Sequence, residues 1–203
     1  MSKAPILQEG QSYTFRSYFE MPYEPDEILA ELGYTLVRSS LSLPKTQTPF
    51  ERLPELRQRL EKILPLVSLT SEMARREILV APILIEVATY CNCQLRIEYP
   101  LHVNNWLKGN LDYLLRSTQN LLVVEAKNDD MTRGFTQMAV ELIALSKIEE
   151  QKILYGAVTI GNGWQFGTLN VSQQTITQDI ALYSIPGNLE ELITILVGIT
   201  QEN

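Results

Sequence analysis

The run NLLVVEAK, Asn120 to Lys127, constrains this chain more than any other stretch. Leu121 to Val124 are uniformly apolar, as a strand covered by helices would be. Glu125 and Lys127 then interrupt the run two residues apart. Ionised groups are seldom buried unless they are paired or metal-bound. Asp112 interrupts the preceding apolar run in the same way.

The neighbouring segments predict how this strand is housed. SEMARREILVAPILIEVATY (Ser71–Tyr90) has helical period and becomes apolar nearly all round after Glu77, the pattern of a buried helix. Pro82 is expected to kink it. Three strands follow, at 94–103, 107–116 and 120–127. Asp130 can cap the next helix, Met131–Glu150, whose apolar stripe is Met131, Phe135, Met138, Leu142 and Leu145. KILYGAVTI and GWQFGTLNV read as strands joined by a hairpin at Asn162-Gly163. A short strand near Gln174–Leu182 and a helix, Leu189–Thr200, close the chain. This order predicts a three-layer α/β/α domain with a mixed central sheet over residues 67–203.

Residues 1–66 read as an N-terminal αβ extension, able to mediate a homodimer. Tyr13–Met21 and Tyr34–Leu43, rich in aromatic and β-branched residues, are expected as strands. Glu24–Leu32 is expected as a helix closed by Gly33, and Thr48–Leu64 as a second helix.

Two strands around one turn place the acids. If the turn is Thr118-Gln119 or Ser117–Asn120, its centre lies between residues 118 and 119. Asp112 then lies directly opposite Glu125, with Cβ atoms about 4.5–5.5 Å apart. Such a pair repels unless one acid takes a proton or a cation sits between them. Mg²⁺ takes one or two carboxylates plus water and phosphate oxygens. Lys127 shares the face of Glu125 because strand side chains alternate. A one-residue slip would put Asp112 on the other face. The plainer reading is a solvated strand end with Asp112 on a loop.

Composition bounds the partners. The 203 residues are 45% hydrophobic and carry a net charge of −7, so a constitutive nucleic-acid binder is disfavoured. DNA binding is expected to be weak and steeply salt-dependent, with Lys108, Arg116 and Arg133 as candidate phosphate contacts. Cys91 and Cys93 are too close to staple a fold, and with the single His102 they do not make a zinc or histidine-rich site. No basic-then-apolar leader and no apolar run of ~18 residues is present, which predicts a cytoplasmic protein without a membrane partner.

The ordered set of Asp112 in LDY and Glu125 and Lys127 in VVEAK, behind a helix and followed by another, resembles the PD-(D/E)XK superfamily of restriction-endonuclease-like nucleases. The wider run over about residues 70–150 is similar to the N-terminal nuclease region of type I restriction motor subunits, with Ser-Glu and Arg on the first helix, then Glu-Tyr-Pro, Asp-Tyr and Glu-x-Lys. Asn110-Leu111 stand before Asp112 where the superfamily's name has proline, and no motor region is present. The resemblance implies a restriction-endonuclease-like core that hydrolyses DNA with Mg²⁺ or Mn²⁺. It implies Asp112, Glu125 and the Ala126 carbonyl as metal ligands and Lys127 as the catalytic lysine. Gln137 and Glu72 would support the site. Glu77 is a rival to Glu72, read more simply as a surface charge paired with Arg75 or Arg76. The alternative is a catalytically inactive nuclease fold used for binding or assembly. Trp164 and Phe166 share a strand face and could stack on bases, although core positions explain them more simply. Glu98 reads as a structural strand charge.

Overall fold

A computed structural model describes residues 5–118 and 120–201. The chain runs α1 (Phe15–Glu20), α2 (Pro25–Glu31), β1 (Thr35–Ser39), α3 (Leu53–Ile63), α4 (Glu72–Arg75) and α5 (Ala81–Cys91). Then come β2 (Gln94–His102), β3 (Lys108–Arg116), β4 (Leu121–Ala126) and α6 (Met131–Leu145). β5 (Ile153–Thr159), β6 (Gly163–Asn170), β7 (Thr175–Asp179), β8 (Tyr183–Ser184) and α7 (Leu189–Thr200) complete it. The strands form one mixed sheet in the order β1-β7-β6-β5-β4-β3-β2, with β8 paired to β6. The β1–β7 and β4–β5 pairs are parallel and the others antiparallel.

Alternation along the strands separates two cores. Tyr113, Leu115, Leu122, Val124, Trp164 and Phe166 face α3, α5 and α7. Leu114, Leu121, Val123, Val158 and Leu169 face α1, α2 and α6, and Leu111 joins them out of alternation. The architecture is therefore three-layer α/β/α. β4 is buried along its whole length because it lies inside the sheet with helices on both faces. α6 sits close to the sheet over Gly156 and Gly167, which pair across β5 and β6. A Cβ on Gly156 would lie 2.1 Å from Met138 Sδ, and one on Gly167 2.7 Å from Phe135.

Several local expectations change. Tyr13–Met21 is not a strand: Phe15–Glu20 is helical. Thr14 N–H donates to Ser17 Oγ at 3.0 Å, and Phe15 and Tyr18, three apart, both face the core. Burial on one helical face has overridden β-propensity. The 71–90 helix is split by a π turn, Arg76–Val80, before Pro82. Ala81 N–H reaches back to the Arg76 carbonyl, the wider turn that relieves the ring and missing N–H of proline. The two-residue hairpin loop is Gly161-Asn162, since Thr159 pairs with Trp164 and Gly161 holds φ at +88°. α3 starts at Leu53, with Pro54 in its first turn, and α6 stops at Leu145. Gln119, in the expected β3–β4 turn, lies outside the described residues; Ser117 N–H donates to the Asn120 carbonyl at 3.0 Å across that turn.

The N-terminal segment is woven into the domain. β1 extends the sheet beyond β7, and α1 packs beside α6. Among the described residues no helix is long and apolar enough to cross a membrane.

Candidate active site

The β3–β4 ladder pairs Tyr113 with Val124 and Arg116 with Leu121. Continuing that register by one residue sets Asp112 against Glu125. Both line one cleft beside α6, together with Gln137. The Asp112 carboxylate accepts the Ala126 N–H at 2.9 Å, which locks it at the strand end. Glu125 is 1% exposed, and Lys127 is also buried. Lys127 Nζ lies 2.5 Å from Glu125 Oε1, with its N–H held by the Thr159 carbonyl at 2.8 Å.

α6 supplies the other wall. Asp130 caps it by accepting the Arg133 N–H at 2.9 Å. Two turns in, Gln137 is buried and not an exposed helix residue, and its Nε2 donates to Glu125 Oε1 at 2.7 Å. The same nitrogen donates to Glu141 Oε1 at 3.0 Å. Gly134, one turn before Gln137, lets α6 approach the lysine stem: a Cβ there would meet Lys127 Cγ at 2.8 Å. These groups line a cleft of about 480 Å³ that also includes Glu72, Arg76 and Glu98.

Sequence reasoning singled out Asp112, Glu125, Lys127, Gln137 and Glu72, and all five line this cleft. Ala126 lies between its two charged neighbours on the same strand end. Glu72 begins α4, and its charge acts on Asp112 and Lys127. Glu77 instead borders a separate groove with Leu66 and Pro82. The expected Glu77 ion pairs give way to others. Arg75 bonds Asn128 and the Ile160 carbonyl, and Arg76 pairs with Glu98 at 2.6 Å and Asp112 at 3.2 Å.

Arg76, Glu98 and Phe19 in the cleft, and Glu141 behind Gln137, were not assigned to the site from sequence. Arg76 reaches over Tyr113, 5.1 Å from its ring centroid. Glu98 holds φ at +51°, an unusual value for a side chain larger than glycine. It stands opposite Asp112 by the β2–β3 register, so its strand charge belongs to the cleft rim. Glu141 is fully buried on α6, and its only sequence signal is an acid four residues after Gln137 within an apolar stretch. Phe19 of α1 places its ring 4.9 Å from Lys127 Nζ.

Three basic candidates lie elsewhere. Arg116 pairs with Glu149 at the far end of β3, and Arg133 faces Asp130 at 3.5 Å. Neither they nor Lys108 line the cleft. Trp164 and Phe166 are fully buried, so they cannot stack on bases; the Trp164 indole N–H is satisfied by the Gly161 carbonyl at 3.0 Å. Cys91 and Cys93 are free thiols packed against the core beside α7. Glu86 is buried and paired with Arg52 at 3.0 Å and Arg59 at 3.4 Å.

The electrostatics follow from burial. Desolvation and the neighbouring Asp112 charge push Glu125 above the ordinary carboxylate range, against the opposing pull of Lys127. Burial raises Asp112 too, although Arg76 and the Ala126 N–H oppose it. Burial pushes Glu141 furthest, and Glu125 adds to that rise. Glu141 has no cation beside it, whereas Glu125 has Lys127. Lys127 therefore makes Glu125 the more acidic of the two, its carboxyl pushed up to about 8, and Glu141 is the acid that holds its proton longest. Burial pulls Lys127 down, but the charge and hydrogen bond of Glu125 outweigh it, so the ammonium persists.

Glu125 Oε1 is held by Gln137 and Lys127, and the carboxyl also shares a hydrogen bond with the protonated Glu141. Two carboxyl groups lining one cleft, Asp112 and Glu125, suit a hard cation, which takes one or two carboxylates and leaves its other positions to water and phosphate. Among the described residues no three or more His, Cys, Asp or Glu side chains form a group able to hold a metal. The fit is to an open two-carboxylate site and not to a closed protein cage. A scan against protein-family models and a search of curated proteins found no match to this chain.

Proposed function

We propose that this cleft hydrolyses DNA phosphodiester bonds with a divalent cation, Mg²⁺ or Mn²⁺, held by Asp112 and Glu125. The observation that carries the reading is Asp112 and Glu125 lining one cleft at the ends of adjacent strands, with Lys127 Nζ 2.5 Å from Glu125 Oε1. A buried Glu125 beside a half-buried Asp112 costs folding free energy through desolvation and repulsion. When bound, the cation would lower the pKa of a water and neutralise phosphate charge.

The protein's own groups have distinct parts in this reading. Gln137 pins Glu125 Oε1. The Ala126 N–H fixes one oxygen of Asp112, and the Ala126 carbonyl is the further candidate ligand. Lys127 stays protonated and presents fixed positive charge where negative charge grows on the phosphate. Water attacks phosphorus, the P–O bond to the leaving sugar oxygen breaks, and the departing oxygen takes a proton. Arg76 and Arg16, not the three candidates chosen from sequence, are the cleft cations placed to meet substrate phosphates.

A second reading, a binding or assembly module without turnover, is favoured by the net charge of −7 and by Arg76 being engaged by two acids. The test is thermal unfolding with and without Mn²⁺ or Mg²⁺, beside nicking of supercoiled plasmid. At a hundred times its Kd, a cation that binds only the native state adds ~2.7 kcal/mol. The nuclease reading expects that rise and metal-dependent nicking; a protein that shows neither is the binding module.

A further inference from the structure

We infer that, on the nuclease reading of the same cleft, helix α1 restricts its substrate to single-stranded DNA. α1 is a fixed wall. Phe15 and Tyr18 are buried beneath it. The Tyr18 hydroxyl donates to the Trp106 carbonyl at 2.7 Å, and Tyr13 N–H donates to the Asn105 carbonyl at 2.8 Å. The Phe15 ring lies on Gly109, where a Cβ would come within 2.8 Å of it and φ is +146°. From this platform Phe19 overhangs Lys127, and Arg16 stands at the rim with its side chain 82% exposed.

The reacting groups lie on the floor behind that wall. Glu125, Lys127 and Gln137 are all buried, in a space of about 480 Å³. That volume lies within the range of about 300–1,000 Å³ typical of small-ligand pockets. A duplex is a stiff rod over about 150 base pairs, and it cannot fold one backbone into such a hollow while keeping its partner strand. It must first open. Each base-pair step that opens costs about a factor of ten in population. A single strand bends freely and can lead a phosphate past Phe19.

Charge acts in the same direction. Double-stranded DNA carries one charge per about 1.7 Å of axis. Here it would meet a chain of net charge −7 and a rim bearing Glu72 and Glu98. A single strand brings about half that line density against the same acids. Arg16, paired with Glu20 at 2.8 Å, and Arg76, paired with Glu98 and Asp112, are the cleft arginines that a strand phosphate would draw away from those acids.

The test compares one end-labelled oligonucleotide, free and annealed to its complement, with the full chain and Mn²⁺. The expected result is cleavage of the free strand at least about tenfold faster than the duplex, one opened step. Phe19→Ala, which lowers the overhang, should narrow that ratio, and a melting curve confirms that the variant is folded. Arg16→Gln, at an exposed position, should weaken binding of the free strand several-fold with at most a small fall in melting temperature, since it gives up only the exposed pair with Glu20. A duplex cut as fast as the free strand overturns the inference and leaves the nuclease reading standing. A ratio unmoved by Phe19→Ala also overturns it, because α1 would not be the discriminating wall. Failure to cut or bind either form, with no metal-dependent stabilisation, sinks both.

Discussion

Glu125 and Lys127 test each other. The net upward push on Glu125 already includes the help of Lys127, so its ionised form weighs against the fold. Glu125→Gln keeps the shape and the contact with Gln137 while removing that charge. The metal-free variant should melt higher than wild type at pH 8, gain nothing from Mn²⁺, and cleave no DNA. Lys127→Ala should melt lower. Breaking a buried pair costs about 3–5 kcal/mol, but Glu125 can take up a proton, so a loss of ~1–3 kcal/mol is expected. Cleavage should fall ~100-fold or more as preorganised charge is lost. Equal, metal-independent melting losses in both variants, with cleavage intact, would sink the assigned roles. Glu141 makes a pH prediction. Its folded pKa is raised above its unfolded value, so the folded chain keeps a proton that the unfolded chain releases. Its contribution is full below the unfolded pKa of about 4.3 and is lost as pH rises toward the folded value. Glu141→Gln should match wild type near pH 5 and melt higher at pH 8. A constant difference across pH would contradict a neutral Glu141.

At the scale of elements, the α6–β4 contact sets where the lysine sits. Gly134 is the closest approach, since a Cβ would lie 2.8 Å from both Lys127 Cγ and Val158 Cγ2. Gly134→Ala gains about 1 kcal/mol of helix propensity and loses about 1–3 to overpacking. A small drop in melting temperature is expected. The flexible lysine stem gives way more readily than β5, so the ammonium moves and cleavage should fall much further than stability. A variant with unchanged turnover would show that the lysine position tolerates the shift. The π turn has a comparable effect on Arg76. By widening one turn ahead of Pro82, it carries this residue to the sheet end, where it reaches Glu98 and Asp112.

For the whole molecule, the first 66 residues are bound up with the domain they precede. β1 covers the edge of β7 through five paired residues, and α1 forms one wall of the cleft. A chain of residues 67–203 would expose β7 as an unpaired edge, a template for aggregation, and would strip the cover from Leu111 and Leu114. It should be insoluble or associate on size-exclusion chromatography. A monomeric fragment that melts cooperatively like the full chain would show instead that the N-terminal segment is an appendage.

Much of this was legible in local pattern. The strand order, the Asp130 cap and the antiparallel pairing of β3 with β4 depend on period-two alternation and on residues equidistant from one turn, which short stretches encode. The side of the sheet that Glu125 and Lys127 share follows from the same alternation. α1 was not legible: six residues cannot hold a helix alone, and its aromatic content reads as strand until Phe15 and Tyr18 find a core. Glu98, Arg76 and Glu141 were hidden for a related reason. A left-handed backbone at one strand residue, a π turn before a proline and the burial of one acid on α6 join groups far apart in sequence. Local preference decided most of the elements and the β3–β4 register. Only packing between layers decided which charges meet them, because burial and desolvation depend on what the other layers place there.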